Sequence, residues 1–184
     1  MLFHRTFGGG NIMASELGVQ TIQHTNGTDA LTIDSSGRVL TPARPALFAQ
    51  GNSEANVTYA NNADVAFATS GINKGEFEQG GMTLVSNTRF TAPVTGLYWF
   101  QAQVYKNENS TGRRFQIALN GSFNPSTTGA GLVHENTGAP ITMSIGLVLS
   151  LTANDYVTLK NGTGSDVVLY NGANHTFASM YLIG

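Results

Sequence analysis

The feature that most constrains this fold is the stretch from Arg89 to Lys106, which contains the run Phe-Thr-Ala-Pro-Val-Thr-Gly-Leu-Tyr-Trp-Phe. A short apolar segment leads into a Pro93–Gly96 corner, and a long, strongly apolar segment follows. Side chains alternate between the two faces of a strand, so Tyr98, Phe100, Ala102 and Val104 are predicted to share the core face. The opposite face then carries a second set, composed of Leu97, Trp99, Gln101, Gln103 and Tyr105.

The rest of the chain repeats this two-residue period between clusters of Gly, Asn, Ser and Pro, and spacings typical of helices are scarce. We therefore predict an all-β protein. The last apolar segment, Thr176–Ile183, reads as a central strand of a sheet. Further predicted strands lie at residues 46–49, 57–59, 65–67, 113–119, 140–151, 156–159 and 166–170.

The composition excludes several classes of protein. Charged residues make up 11% of the chain, against about 25% in an average soluble domain. A net charge of −2 without a basic stripe argues against binding to nucleic acid, which requires Lys and Arg to neutralise phosphates. No apolar run approaches the ~20 residues of a membrane-spanning helix, so membrane insertion is not expected. Cysteine is absent, which rules out disulfides and thiolate metal sites.

Four landmarks between residues 44 and 184 together resemble the complement C1q/tumour-necrosis-factor-like family. They are Arg44–Ala49, Phe90–Phe100, Leu149–Leu159 and Phe177–Ile183. Within the third landmark, Asn154 occupies a position where the family often has Gly. The resemblance implies an antiparallel jelly-roll β-sandwich over residues 44–184, assembled as a homotrimer and used for binding outside cells.

Residues 1–43 form a separate segment, which we interpret as an N-terminal anchoring arm; a flexible tail is the alternative. The run Leu17–Val39 resembles the leader of small structural proteins of marine tailed phages. The resemblance implies a head fibre, decoration protein or short tail fibre on the virion surface, held by its arm to other virion proteins of the capsid or tail. The residues expected to anchor the arm are the apolar ones, Leu17, Val19, Ile22, Leu31, Ile33 and Val39.

No catalytic motif stands out, so we expect a non-enzymatic protein without a cofactor or metal. The four histidines lack a metal-pair spacing. Glu76 and Glu78 could share a strand face, at a spacing that the paired carboxylates of a glycosidase permit, but their glycine neighbours favour a solvated loop. Trp99 and Tyr105 are the candidate functional residues, either in the trimer seam or as platforms for stacking host surface glycans. A free secreted lectin or adhesin module of the same fold is the alternative function.

Overall fold

The computed structural model describes residues 18–69, 76–109, 112–123, 131–134, 140–172 and 174–184, with residues 131–134 described by their backbone only. Sixteen strands and no helix occur within these ranges, and all strand pairs are antiparallel. The predicted all-β, antiparallel fold class is therefore confirmed. The chain divides into two compact units, Met1–Thr41 and Pro42–Gly184.

The first unit holds a three-stranded sheet made of β1 (Thr21–Gln23), β2 (Asp29–Ile33) and β3 (Val39–Leu40). The turn between β2 and β3 is organised by Asp34, whose carboxylate accepts hydrogen bonds from the backbone amides of Ser36 and Arg38 and from Arg38 Nε. These bonds lower the pKa of Asp34, the backbone amide of Arg38 having the largest effect.

The second unit is a sandwich of two sheets. The larger sheet contains β4 (Ala46–Gly51), β5 (Asn56–Tyr59), β6 (Phe67–Ala68), β7 (Phe77–Gln79), β10 (Gly96–Lys106), β13 (Ile141–Leu151), β15 (Val167–Tyr170) and β16 (Phe177–Leu182). Its strand order is β5-β15-β10-β16-β4-β6, with β13 also paired to β10 and β7 to β4. The smaller sheet has the order β12-β11-β14-β9-β8 and contains β8 (Thr83–Val85), β9 (Arg89–Thr91), β11 (Arg113–Leu119), β12 (Gly131–His134) and β14 (Tyr156–Asn161).

Strand β10 is the centre of the larger sheet. It pairs with β13 over its full length, from Gly96 opposite Leu151 to Lys106 opposite Ile141. Its other edge pairs with β16 and then with β15. The terminal segment predicted to be a central strand is thus β16, which lies between β10 and β4.

The core is formed by the inward faces of these strands, as the two-residue period predicts. Tyr98, Phe100, Ala102 and Val104 are all buried, whereas their neighbours along β10 are exposed or half-buried. Phe100 packs edge-on against Phe90 at a ring-centroid distance of 5.3 Å. Such edge-to-face pairs stabilise the fold by more than the burial of their apolar area alone. Burial also raises the pKa of Tyr98, whose hydroxyl donates to the carbonyl oxygen of Val94.

Asn161 is a buried polar residue that joins two parts of the sandwich. Its Nδ2 donates to the carbonyl oxygens of Tyr59 at 3.0 Å, Ala60 at 3.1 Å and Ser165 at 2.8 Å. Its Oδ1 accepts from the backbone amide of Thr163. One side chain thereby ties the end of β5 to the loop after β14 and satisfies backbone groups in the interior.

The turn before β14 places Asn154 in a backbone conformation that Gly favours. Asn154 has a φ of 75°, in the left-handed region that Gly adopts freely and that Asn tolerates better than most residues. The adjacent Asp155 accepts hydrogen bonds from the backbone amide of Thr152 and from Asn120 Nδ2. Asn154 therefore adopts a backbone conformation in which Gly would also be unstrained.

Candidate functional site

The outward face of the larger sheet has an apolar half, defined here as Phe77, Leu97, Trp99, Val148 and Tyr181. Trp99 lies opposite Val148 on β13 and opposite Tyr181 on β16. Leu97 is two residues earlier on the same face of β10, and Phe77 lies further along this face, opposite Phe48 on β4. Four of them, all except Trp99, are between 40% and 49% exposed. Large apolar side chains in contiguous exposed positions mark an interaction surface.

The indole ring of Trp99 lies against β13 at Gly146, which has no side chain to displace it. A Cβ atom added to Gly146 would lie 2.8 Å from Trp99 Cζ2 and 3.2 Å from Cη2, so only Gly leaves room for the indole ring. Beside the ring, Trp99, Gln101, Ser144, Ile145 and Gly146 line an open groove of about 250 Å³. The indole thus lies close to the backbone of Gly146 and borders an accessible groove.

Tyr105 lies on the same outward face, but its surroundings are polar and aromatic. It is opposite Thr142 on β13, and because Lys106 pairs with Leu169, Tyr105 also comes opposite Tyr170 on β15. Tyr170 in turn lies opposite Asn56 on β5. Thr142, Tyr105, Tyr170 and Asn56 form one row across four strands, which we call the tyrosine row.

His175 completes this group, since it contacts both tyrosine rings. Its ring centroid is 5.2 Å from that of Tyr105 and 4.9 Å from that of Tyr170. The Tyr170 hydroxyl lies 3.3 Å from Glu54 Oε2, and Asn107 Nδ2 donates to Asn56 Oδ1 at 2.8 Å. Two aromatic rings, an imidazole, two amides and a carboxylate are therefore adjacent at one end of the outward face.

The arm residues predicted from the sequence fall into one cluster of the first unit. Val19, Ile22, Leu31, Ile33 and Val39 line an apolar recess of about 50 Å³ on the three-stranded sheet, whereas Leu17 lies outside the described residues. Ile22 and Val39 are 47% and 62% exposed. Large apolar side chains exposed side by side are typical of an interaction surface.

Of the two acidic candidates in the sequence, Glu78 has a structural partner. Glu78, expected in a solvated loop, lies instead in β7, where its Oε1 accepts a hydrogen bond from the backbone amide of Leu84 at 2.8 Å. This bond ties β7 to β8, so the carboxylate has a structural partner. In the part of the chain that the structure describes, no group of three or more acidic or histidine side chains could hold a metal ion. Those same residues include no helix that could span a membrane.

Comparison with solved structures shows that the fold resembles that of a known protein. A solved structure of Eiger TNF from S. frugiperda matches with a TM-score of 0.58 over 77% of this chain and 93% of that chain, at 14% sequence identity. The second unit has a tumour-necrosis-factor-like fold. This result confirms the jelly-roll sandwich implied by the sequence landmarks. No family model and no curated protein matches the chain.

Sequence reasoning identified Trp99 and Tyr105 but not Glu54, Asn56 or His175. Alternation along β10 was enough to place both on the outward face. Glu54, Asn56 and His175 come from segments far away in the chain, and only the register of β15 with β5 and β10 brings them to Tyr105. The Asn and Tyr content of those segments was the only available signal.

Proposed function

We propose that this protein is a non-enzymatic structural protein of a tailed-phage virion. Its head would form a homotrimer, and its N-terminal arm would attach the trimer to capsid or tail proteins as a fibre or decoration spike. Host cell-surface glycans are the proposed ligand, and the virion surface is the proposed location. The observation that carries the trimeric head is the apolar half of the outward face, on a fold shared with a tumour necrosis factor.

The apolar half has the chemistry of a subunit interface. Its exposed aromatic and aliphatic side chains lie on one face of a sheet, and aromatic residues are enriched where protein interfaces are fully buried. The polar side chains that adjoin it, Gln101, Ser144 and Ser179, are uncharged. A second copy of the chain presenting the same kind of surface would cover it without burying an unpaired charge.

The virion assignment rests on the arm. Its leader resembles those of small marine phage structural proteins, and its sheet presents the exposed apolar side chains of Ile22 and Val39. A trimer would bind more tightly than a single chain, because once one arm is bound the other two arms are held at a high effective concentration near their sites. Three ligand sites on each spike, repeated over a particle, would raise avidity for a host surface by the same reasoning.

A single charge in the apolar half tests the trimer. The wild-type chain should have about three times the protomer mass of 19.4 kDa by light scattering after gel filtration. Val148→Glu, at a site 49% exposed in the apolar half, should give the protomer mass. Val85→Glu is the matched control, because Val85 is 42% exposed on β8 in the other sheet. A monomeric wild type, or a trimeric Val148→Glu, would contradict the proposed interface.

A charge in the arm tests attachment to the particle. Ile22→Asp should keep the trimer mass but leave the protein absent from purified phage particles, detected by mass spectrometry. Thr25→Asp, in the exposed turn after β1, should be incorporated normally. Normal incorporation of Ile22→Asp would rule out the arm surface as the anchor. Absence of the wild-type protein from particles would instead favour a free secreted module.

A further inference from the structure

We infer that the tyrosine row, together with His175 and Glu54, is a binding site for uncharged oligosaccharides, separate from the surface that joins the subunits. The inference deepens the proposed function, because it names the site and the class of glycan through which the spike would adhere. The sequence left Trp99 and Tyr105 as alternatives for either role. The structure separates them, since they lie six residues apart on β10, a distance of about 20 Å.

The first argument is the difference between the two surroundings. Trp99 lies between Val148 and Tyr181 and belongs to a surface that only another apolar surface would cover well. Tyr105 has Thr142 on one side and Tyr170 on the other, with Asn56 beyond. Burying those hydroxyls and amides against an apolar partner would cost free energy unless each found a hydrogen-bond partner. A sugar, with a hydroxyl on nearly every carbon, supplies such partners.

The second argument is the combination of rings and polar groups that a sugar requires. The face of a pyranose ring is apolar C–H, which packs on aromatic rings, and its edge is a set of hydroxyls. Tyr105 and Tyr170 are half-buried and His175 is exposed, so the three rings, which are tilted to one another, support each other and keep part of their surface accessible. Four strands at a spacing of about 4.8 Å make the row about 14 Å wide, enough for more than one sugar unit.

The third argument is the way the polar groups are held. Asn107 Nδ2 donates to Asn56 Oδ1, which leaves each amide with further donor or acceptor capacity for sugar hydroxyls. Gln103 Nε2 lies 3.4 Å from the carbonyl oxygen of His175. A Cβ atom at Gly172 would lie 2.3 Å from Tyr170 Cε1 and 2.9 Å from Glu54 Oε2, so this backbone closely supports both side chains. Groups fixed in this manner lose little conformational entropy when a ligand binds.

The charge of the site selects the class of glycan. Glu54 is the one acidic side chain among the residues assigned to it, and these include neither Lys nor Arg. A carboxylate accepts hydrogen bonds from sugar hydroxyls but repels sulfated, phosphorylated or sialylated sugars. Neutral hexose and N-acetylhexosamine oligosaccharides therefore fit this site better than anionic ones.

The test is saturation-transfer difference NMR on the full-length protein. The probes are lactose, maltose, cellobiose and chitobiose, with 3′-sialyllactose and a heparin disaccharide as anionic comparisons. We expect saturation transfer to at least one neutral probe and little to the anionic ones. His175→Ala and Asn56→Ala should weaken the binding about tenfold or more, a loss of ~1.4 kcal/mol each. Tyr156→Ala, which removes a tyrosine from the other sheet, is the control and should bind as wild type does.

The possible outcomes separate this inference from the proposed function. Light scattering on the His175→Ala, Asn56→Ala and Tyr156→Ala variants checks that their assembly is kept. A trimeric wild type that binds none of the neutral probes at millimolar concentration would overturn the glycan site and leave the spike intact. Binding that survives both His175→Ala and Asn56→Ala, or that Val148→Glu alone removes, would place the sugar elsewhere. Glycan binding by a protein that is absent from particles would support the site and contradict the virion role.

Discussion

Replacing Asn161 by Ala should destabilise the head more than any exposed Asn substitution. The two hydrogens of Asn161 Nδ2 serve three carbonyl oxygens, those of Tyr59, Ala60 and Ser165. Its Oδ1 also serves the amide of Thr163. Truncation leaves these backbone groups without partners in a place where the side chain itself is fully buried, and water cannot replace all of them.

The magnitude follows from the number of groups left unpaired. The two Nδ2 hydrogens, shared among the three carbonyls, and the one bond accepted by Oδ1 count as three hydrogen bonds, which at roughly 1 kcal/mol each give a loss of about 3 kcal/mol. Native domains are stable by only about 5–15 kcal/mol, so this is a large fraction of the total. With a urea dependence of about 2 kcal/mol per molar, the unfolding midpoint should fall by roughly 1.5 M.

The assay is urea unfolding followed by circular dichroism. All samples need one protein concentration, because the stability of an oligomer depends on it. Asn109→Ala is the control, since Asn109 is exposed and its truncation should change stability by less than about 0.5 kcal/mol. A loss below about 1 kcal/mol for Asn161→Ala would refute the argument that its hydrogen bonds hold β5 to the loop after β14.

Three further perturbations follow from particular residues. Asn154→Gly should leave the thermal midpoint nearly unchanged, whereas Asn154→Val should cost about 1–2 kcal/mol because a β-branched residue resists a positive φ; equal midpoints would contradict this. Burial lowers the pKa of Lys106, so the unfolded chain binds this proton more tightly. The stability of the wild type relative to Lys106→Met should therefore increase as the pH rises from the lowered pKa towards the ordinary value of 10.5. Urea midpoints of the two proteins that differ by the same amount at every pH in this range would contradict the lowered pKa. Gly146→Val should displace the indole of Trp99, the chain's single tryptophan, and shift its fluorescence emission, while the exposed Ser150→Val on the same strand should not.

The core face of β10 and the confirmed fold class could be predicted from the sequence because both depend on local alternation. Tyr98 and Phe100 are recognisable as buried from their neighbours alone. The register between strands cannot be read in this way, since it joins segments far apart in the chain and a shift by one residue reverses every side chain. For that reason Trp99 could be placed on the outward face, but its contact with Gly146 could not.

The same limit applies to the tyrosine row and to Glu78. Nothing near Tyr105 in the sequence indicates that Tyr170 and His175 pack against it, because these residues arrive through the pairing of β15 and the path of the loop before β16. The glycines around Glu78 favoured a loop, yet this segment pairs with the edge of β4 and forms strand β7. In both cases tertiary pairing decided what local propensity left open.

The position of β16 has a consequence for how the head is made. This strand lies between β10 and β4 and pairs with both, yet it is synthesised after either of them. Until it emerges from the ribosome, β4 and one edge of β10 have unpaired backbone groups, and the apolar residues meant for the core remain accessible to other chains. The larger sheet therefore closes only after translation of its final strand, and until then the unpaired edges of β4 and β10 are sites at which newly made chains could pair with one another.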